Sequence, residues 1–228
     1  MGIDTSTSLT QRRSVRSYKP DPVPDDLLRE LLTEARWAPS AINTQSTWVY
    51  ALAGEALDTF KAGLKECAES ETPPCHDVPF SMAWPPLYKA RMDALMQART
   101  SFIAAEEARV GIQPPAVPVN PRVAGARIFG APTVLVLAFD KEIGEHYACF
   151  DAALLAMSIT LAAHARGLGT CIMLGAISHP DLLRKAIPGT DEKNFVAAIA
   201  LGYPDWDAPV NRFPRSRVPV DEFLTIVR

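Results

Sequence analysis

Seven consecutive residues, Arg12-Arg13-Ser14-Val15-Arg16-Ser17-Tyr18, bring together three arginines and two serine hydroxyls. Guanidinium forks bind phosphate bidentately, and hydroxyls add short hydrogen bonds. Beside an apolar body, such a cluster suits one phosphate group; alone, it also reads as a solvated basic turn. Arg215 and Arg217 lie two apart near the other end of the chain. Alternate residues of an extended segment share a side, so both guanidinium groups can reach one phosphate. Pro39-Ser40-Ala41 is a tight turn of small residues whose backbone N–H groups can approach an anion closely.

Composition limits what these groups serve. The chain has 228 residues, 48% hydrophobic and 21% charged, enough for one domain with a real core. The formal net charge of −3 does not favour nucleic acid, so the arginine clusters are local devices for a small anion. The 4 cysteines, Cys67, Cys75, Cys149 and Cys171, match no zinc or redox spacing. Without a secretory signal they read as reduced cytoplasmic thiols. Met1-Gly2-Ile3-Asp4-Thr5-Ser6 fits the loose myristoylation pattern, but nothing polybasic accompanies it, and it is read as unlipidated.

The elements that must position these groups follow from patterning. Ser6 to Arg13 predicts a short helix delivering the arginines, and Lys19 to Pro24 an extended connector. Leu27, Leu28, Leu31, Leu32 and Ala35 lie on one face of a helix that stops before Pro39. Trp48 to Ala53 reads as a strand and Glu55 to Cys67 as a helix. Ten of the 20 prolines fall between Pro73 and Pro132. Loops around Pro73-Pro74 and Pro114-Pro115 bracket a helical run from Leu87 to Val110, and His76 reads as a solvated loop histidine. Thr133 to Phe139 is a continuous apolar run, the mark of a strand buried on both faces.

Tyr147 to Arg166 is apolar nearly all round, yet Asp151, His164 and Arg166 leave too short an apolar stretch for a membrane span of about 20 residues. It reads as a central helix shared with a second copy of the chain, with His164 structural and favoured by the helix dipole. Gly167 supplies a left-handed cap, and Cys171 to Leu174 is short and extended, ending at Gly175. Gly167-Leu168-Gly169 is not a dinucleotide fingerprint, because it follows a helix and lacks a third glycine in place. Ser178 is a candidate cap for the next helix, Asn194 to Tyr203 a strand, and residues 205–228 an extended, proline-punctuated arm.

Arg12-Arg13-Ser14-Val15-Arg16, Ala38-Pro39-Ser40-Ala41-Ile42-Asn43-Thr44-Gln45, Gly167-Leu168-Gly169-Thr170 and Arg215-Ser216-Arg217, in that order, resemble the FMN-dependent nitroreductase family. The resemblance runs from about Arg12 to Phe223. It departs at Gln45-Ser46-Thr47-Trp48, where the usual proline–tryptophan pair is interrupted, so Asn43 reads as a loop-bracing amide. It implies that Arg12, Arg16, Arg215 and Arg217 address the FMN phosphate, with Ser14 beside them and Arg13 turned to the ribityl chain or ring edge. It implies that Pro39, Ser40 and Ala41 pack on flavin held mainly by the other subunit. The backbone at Leu174 and Gly175 would face the ring near N5, where glycine leaves the ring face clear. Residues 68–130 would be a lid-like insertion in a single domain spanning 1–228.

The expected architecture is α+β, a mostly antiparallel central sheet wrapped by helices in an intertwined homodimer without membrane or nucleic-acid partners. The expected activity is electron transfer from NADH or NADPH to a small acceptor, a nitroaromatic or a quinone, by a ping-pong route. No side-chain general base is evident, no catalytic residue is assigned, and no metal is implied. The same scaffold resembles reductive dehalogenases, azoline-type dehydrogenases and a flavin-destroying synthase, and an FMN-binding protein without turnover fits the same residues.

Overall fold

The computed structural model describes residues 4–81, 83–112 and 120–228. The Met1-Gly2 start of the lipidation pattern and the Pro114-Pro115 loop lie outside the described residues. The centre is a four-stranded sheet of β1 (Trp48–Ala53), β2 (Thr133–Asp140), β3 (Gly169–Met173) and β4 (Lys193–Gly202). Its order is β1-β2-β4-β3 and every pairing is antiparallel. The expected α+β class with an antiparallel sheet is the observed one.

Alternation along the strands sorts the core into two layers. Val134, Val136 and Ala138 of β2 face Phe60 and Leu64 of α3 (Gly54–Glu69) and Leu183 of α7 (Pro180–Ala186). Leu135 and Leu137 face the other way, onto Leu31 and Ala35 of α2 (Asp25–Ala35) and Ala156 and Ile159 of α6 (Glu145–Ala165). Covering both faces explains the unbroken apolar run of β2, whose residues 133–139 are all buried. α7 begins after His179 with no side-chain cap, so Ser178 does not play the capping role expected of it.

α6 is long and apolar enough to cross a membrane by length and composition, but it packs on the sheet and α2. Its remaining face is exposed on this chain: Tyr147 and Phe150 are each more than 60% accessible. The proline-rich middle divides in two. α4 (Pro86–Arg109) has no buried residue, whereas Ala126 at the end of α5 (Pro121–Ala126) and Ile128 belong to the core. The base of the expected arm is folded as well. α8 (Pro209–Arg212) buries Asn211 completely.

The arginine segment follows α1 (Thr5–Gln11) and docks on the edge strand β3. Val15 N–H donates to the Thr170 carbonyl at 2.9 Å, and Lys19 N–H to that of Tyr203 at 2.9 Å. Val15 and Tyr18 are buried, the valine worth about 1.5–3 kcal/mol by transfer. Close docking requires glycine on the sheet. A Cβ at Gly169 would lie 2.7 Å from Val15 Cγ2, and one at Gly202 would lie 2.6 Å from Pro132 Cδ and 3.1 Å from Tyr18.

Candidate flavin site

Docking on β3 fixes the backbone of residues 14–18 and leaves Arg12, Arg13 and Arg16 at its margin. The Arg13 guanidinium donates to the Phe213 carbonyl, and that of Arg215 donates to the Arg12 carbonyl. These long-range bonds within the chain bring the two ends of the sequence together. Burial, then the fields of Arg217 and Arg215, hold the Arg12 guanidinium below its ordinary range. Burial, Arg215 and Arg16 do the same to Arg13. Among the described residues, none of the five arginines pairs with a carboxylate. The Nε atoms of Arg12 and Arg13 are buried and have no hydrogen-bond partner among those residues. Converging guanidinium groups raise one another's energy, and a dianion relieves that cost.

Two further residues share this positive region, and sequence reasoning missed their place in it. Arg99 is on α4, and its guanidinium is depressed by burial and then by Arg16. α4 reaches the region by packing on α8: the Phe102 and Phe213 rings meet edge to face at 5.6 Å, and Arg212 pairs with Glu106 at 2.7 Å. His164 is depressed by burial, Arg215 and Arg12, and its Nε2 is buried without a partner among the described residues. Burial first, and then the nearby cations, thus move it in the direction opposite to the one the helix dipole invoked from the sequence would favour. No local pattern marks either residue, because only helix packing brings them here.

The 39–46 segment is held from α6. Asp151, buried within α6, accepts from the Ala41 backbone N–H at 3.0 Å and the Thr44 hydroxyl at 3.4 Å. Ser40 Oγ accepts from Gln45 N–H at 3.0 Å. These two side chains brace the loop; the Asn43 side-chain amide, expected to do so, bonds to no described residue. Ile42 stands at φ +51 and is wholly exposed, a strained β-branched conformation. Pro39 and Ser40 line a cavity of about 240 Å³ together with Arg36, Leu155 and Asp151.

Leu174 and Gly175 line a different, larger cavity of about 590 Å³, with Phe80, Trp84, Met92 and His179. Gly175 has an ordinary φ, and a Cβ there would meet nothing within 4 Å, so its own chain does not require glycine. His76 also lines this cavity. It is half-buried rather than solvated as expected, with its ring edge-on to Phe80 at 4.5 Å.

An arginine cluster made by both chain ends, a loop pinned by α6 and a close-packed glycine, Gly169, at the start of β3 are the same four sequence stretches, now in one fold. A family model described as the nitroreductase family matches residues 9–203. The chain belongs to the nitroreductase family. It is 30% identical over 222 residues to a chloronitrobenzene nitroreductase of Comamonas testosteroni, covering 96% of this chain and 95% of that one. It is 28% identical to a 4-nitrobenzoate reductase of Pseudomonas putida, covering 93% and 91%. Its fold superposes on the FMN-dependent nitroreductase NfnB of Mycobacterium smegmatis, solved in complex with NADPH, with a TM-score of 0.79, 25% identity and coverage of 98% and 97%. As a member of this family the chain is an oxidoreductase.

Proposed function

We propose that this nitroreductase-family chain is an FMN-dependent enzyme that takes a hydride from NADH or NADPH and passes electrons to a small acceptor, a nitroaromatic or a quinone. The observation that carries the reading is the convergence of Arg12, Arg13, Arg16, Arg215 and Arg217, which among the described residues pair with no carboxylate and leave two buried guanidinium nitrogens without partners. These residues fit the phosphate of FMN, and Ser14 adds a hydroxyl beside them. When bound, FMN supplies the two-electron redox chemistry. The chain's own work is to hold and orient: the arginines fix the phosphate, and the backbone at Leu174 and Gly175 meets the ring. Reductant and acceptor use one site in turn, which gives ping-pong kinetics. No side chain is assigned as a catalytic acid or base.

The working unit in this proposal is a homodimer. Pro39 and Ser40 line one cavity of the chain and Leu174 and Gly175 another, which supports completion of each flavin site by a second copy. The bare α6 face carrying Tyr147 and Phe150, with Leu224, Ile226 and Val227 exposed near the C-terminus, supplies apolar surface for that contact. The insertion at about 68–130 supplies the lid, with α4 as its exposed part, and the enzyme works in the cytoplasm with its thiols reduced. The test is spectroscopic and kinetic. Purified protein supplied with FMN is expected to retain flavin absorption near ~450 nm and to oxidise NAD(P)H when a nitroarene or quinone is added. Absence of bound flavin after FMN is supplied would overturn the reading; bound flavin without turnover would leave a binding protein.

A further inference from the structure

The larger cavity has a distinct chemical character. Met173 at the end of β3 lines it with Leu174 and Gly175 just beyond, and Phe80 and Trp84 add flat aromatic rings to the lining. Among the described residues its polar lining includes Arg122, His76 and His179, and no carboxylate. Arg122 sits in the first turn of α5, where the Asn120 side chain accepts its backbone N–H at 2.8 Å. One guanidinium nitrogen donates to the Thr72 carbonyl at 2.7 Å, which anchors the group at the rim, and it forms no ion pair with a described residue. A guanidinium has five N–H donors, so most of the fork is available to a ligand. The histidines do not cancel this charge. Burial, Arg122 and His76 hold the His179 imidazole below its ordinary range, and burial outweighs the neighbouring Asp77 to do the same for His76.

A flat apolar slot that ends in one anchored guanidinium fits a planar ring bearing a carboxylate, because the fork matches a carboxylate bidentately. We propose that this cavity receives the electron acceptor and that Arg122 selects aromatic acceptors carrying a carboxylate over neutral ones. The proposal rests on the flavin reading of Leu174 and Gly175, which line the same cavity. A neutral nitroarene gains the aromatic lining but not the charged hydrogen bonds. The difference is expected to be about 10- to 100-fold in affinity.

The experiment uses FMN-supplied protein without nicotinamide and measures 4-nitrobenzoate and nitrobenzene binding by calorimetry. The kcat/KM ratio for the two acceptors is measured in parallel. Wild type is expected to favour 4-nitrobenzoate by that margin in both measurements. Arg122→Gln is expected to bring the ratio close to one with FMN titration as in wild type, and Arg122→Lys to keep part of the preference. Equal binding of the two compounds by wild type, or a preference that survives Arg122→Gln, would overturn the proposal while the flavin reading stands. Failure to take up FMN would overturn the flavin reading and the acceptor proposal with it.

Discussion

The buried carboxamide of Asn211 accepts the Arg16 backbone N–H at 2.7 Å and donates to the carbonyls of Ser17 at 2.8 Å and Asp205 at 2.7 Å. One side chain on α8 thus ties the arginine segment to the base of the C-terminal arm. Asn211→Ala strands three backbone groups in a site with no accessible surface. The expected cost is about 2–4 kcal/mol of stability, read from the urea midpoint, with weaker FMN binding in parallel. An unchanged midpoint would mean that water or rearrangement replaces all three bonds.

The five arginines are not equivalent. Arg13 is engaged by the Phe213 carbonyl, whereas among the described residues the Arg217 side chain bonds only the neighbouring Ser216 carbonyl, at 2.7 Å, and is exposed. Arg217→Ala is therefore expected to lower FMN affinity by about 1.5–3 kcal/mol, the worth of a charged hydrogen bond, while leaving folding intact. Arg13→Ala is expected to lower the melting temperature as well, because it releases the arm from the arginine segment. Fluorescence titration and thermal melts of the two variants separate the roles; equal FMN affinity in wild type and Arg217→Ala removes Arg217 from the site.

His76, His164 and His179 are all held below the ordinary histidine value of 6.5, with burial the largest cause in each. A depressed folded value means that the unfolded chain binds more protons below about pH 6.5. Their contribution is fully present above that pH and is lost as pH falls through the folded values. Stability is expected to decline from pH 7 to pH 5, with a smaller slope in His164→Gln. A phosphate dianion offsets the fields of Arg215 and Arg12, so FMN is expected to raise the His164 pKa. NMR titration of the imidazole with and without FMN checks this; no movement would place the phosphate elsewhere.

Asp151 holds a loop whose tip is strained at Ile42. Asp151→Ala removes the acceptors for Ala41 N–H and Thr44 and is expected to mobilise residues 40–46, with faster amide exchange there. In the homodimer proposed above, that segment closes the partner's flavin site, so FMN should dissociate faster although no phosphate contact has changed. Exchange rates equal to wild type would show that Ser40 alone holds the loop.

Truncation tests the assembly without disturbing Asn211 or the arginines. Ending the chain after Val218 removes the exposed Phe223, Leu224, Ile226 and Val227. Light scattering is expected to show a weaker dimer. A dimer of undiminished stability would confine the contact to α6 and the 39–46 loop.

The strand, helix and glycine stations of this fold were legible because each is a local pattern. β2 declares itself by an unbroken apolar run, α2 by one apolar face, and the arginine pairs by their spacing. Charge type likewise marked the two arginine stretches before any geometry was known. Other roles were not legible, since they depend on which distant surfaces meet. Asp151 read as a polar interruption in an apolar helix, yet its carboxylate is the anchor of a loop 110 residues earlier. Asn211 read as part of an open arm, and only the return of α8 onto residues 16–17 makes it a buried bridge. Arg99, His164 and Arg122 acquire their surroundings from helix packing, because electrostatic fields act through space and not along the chain. Sequence by itself determined the family, the strands of the sheet and the clustering of like charge in the two arginine stretches. Tertiary structure alone decided what braces those arginines and which charge lines the cavity at Leu174 and Gly175.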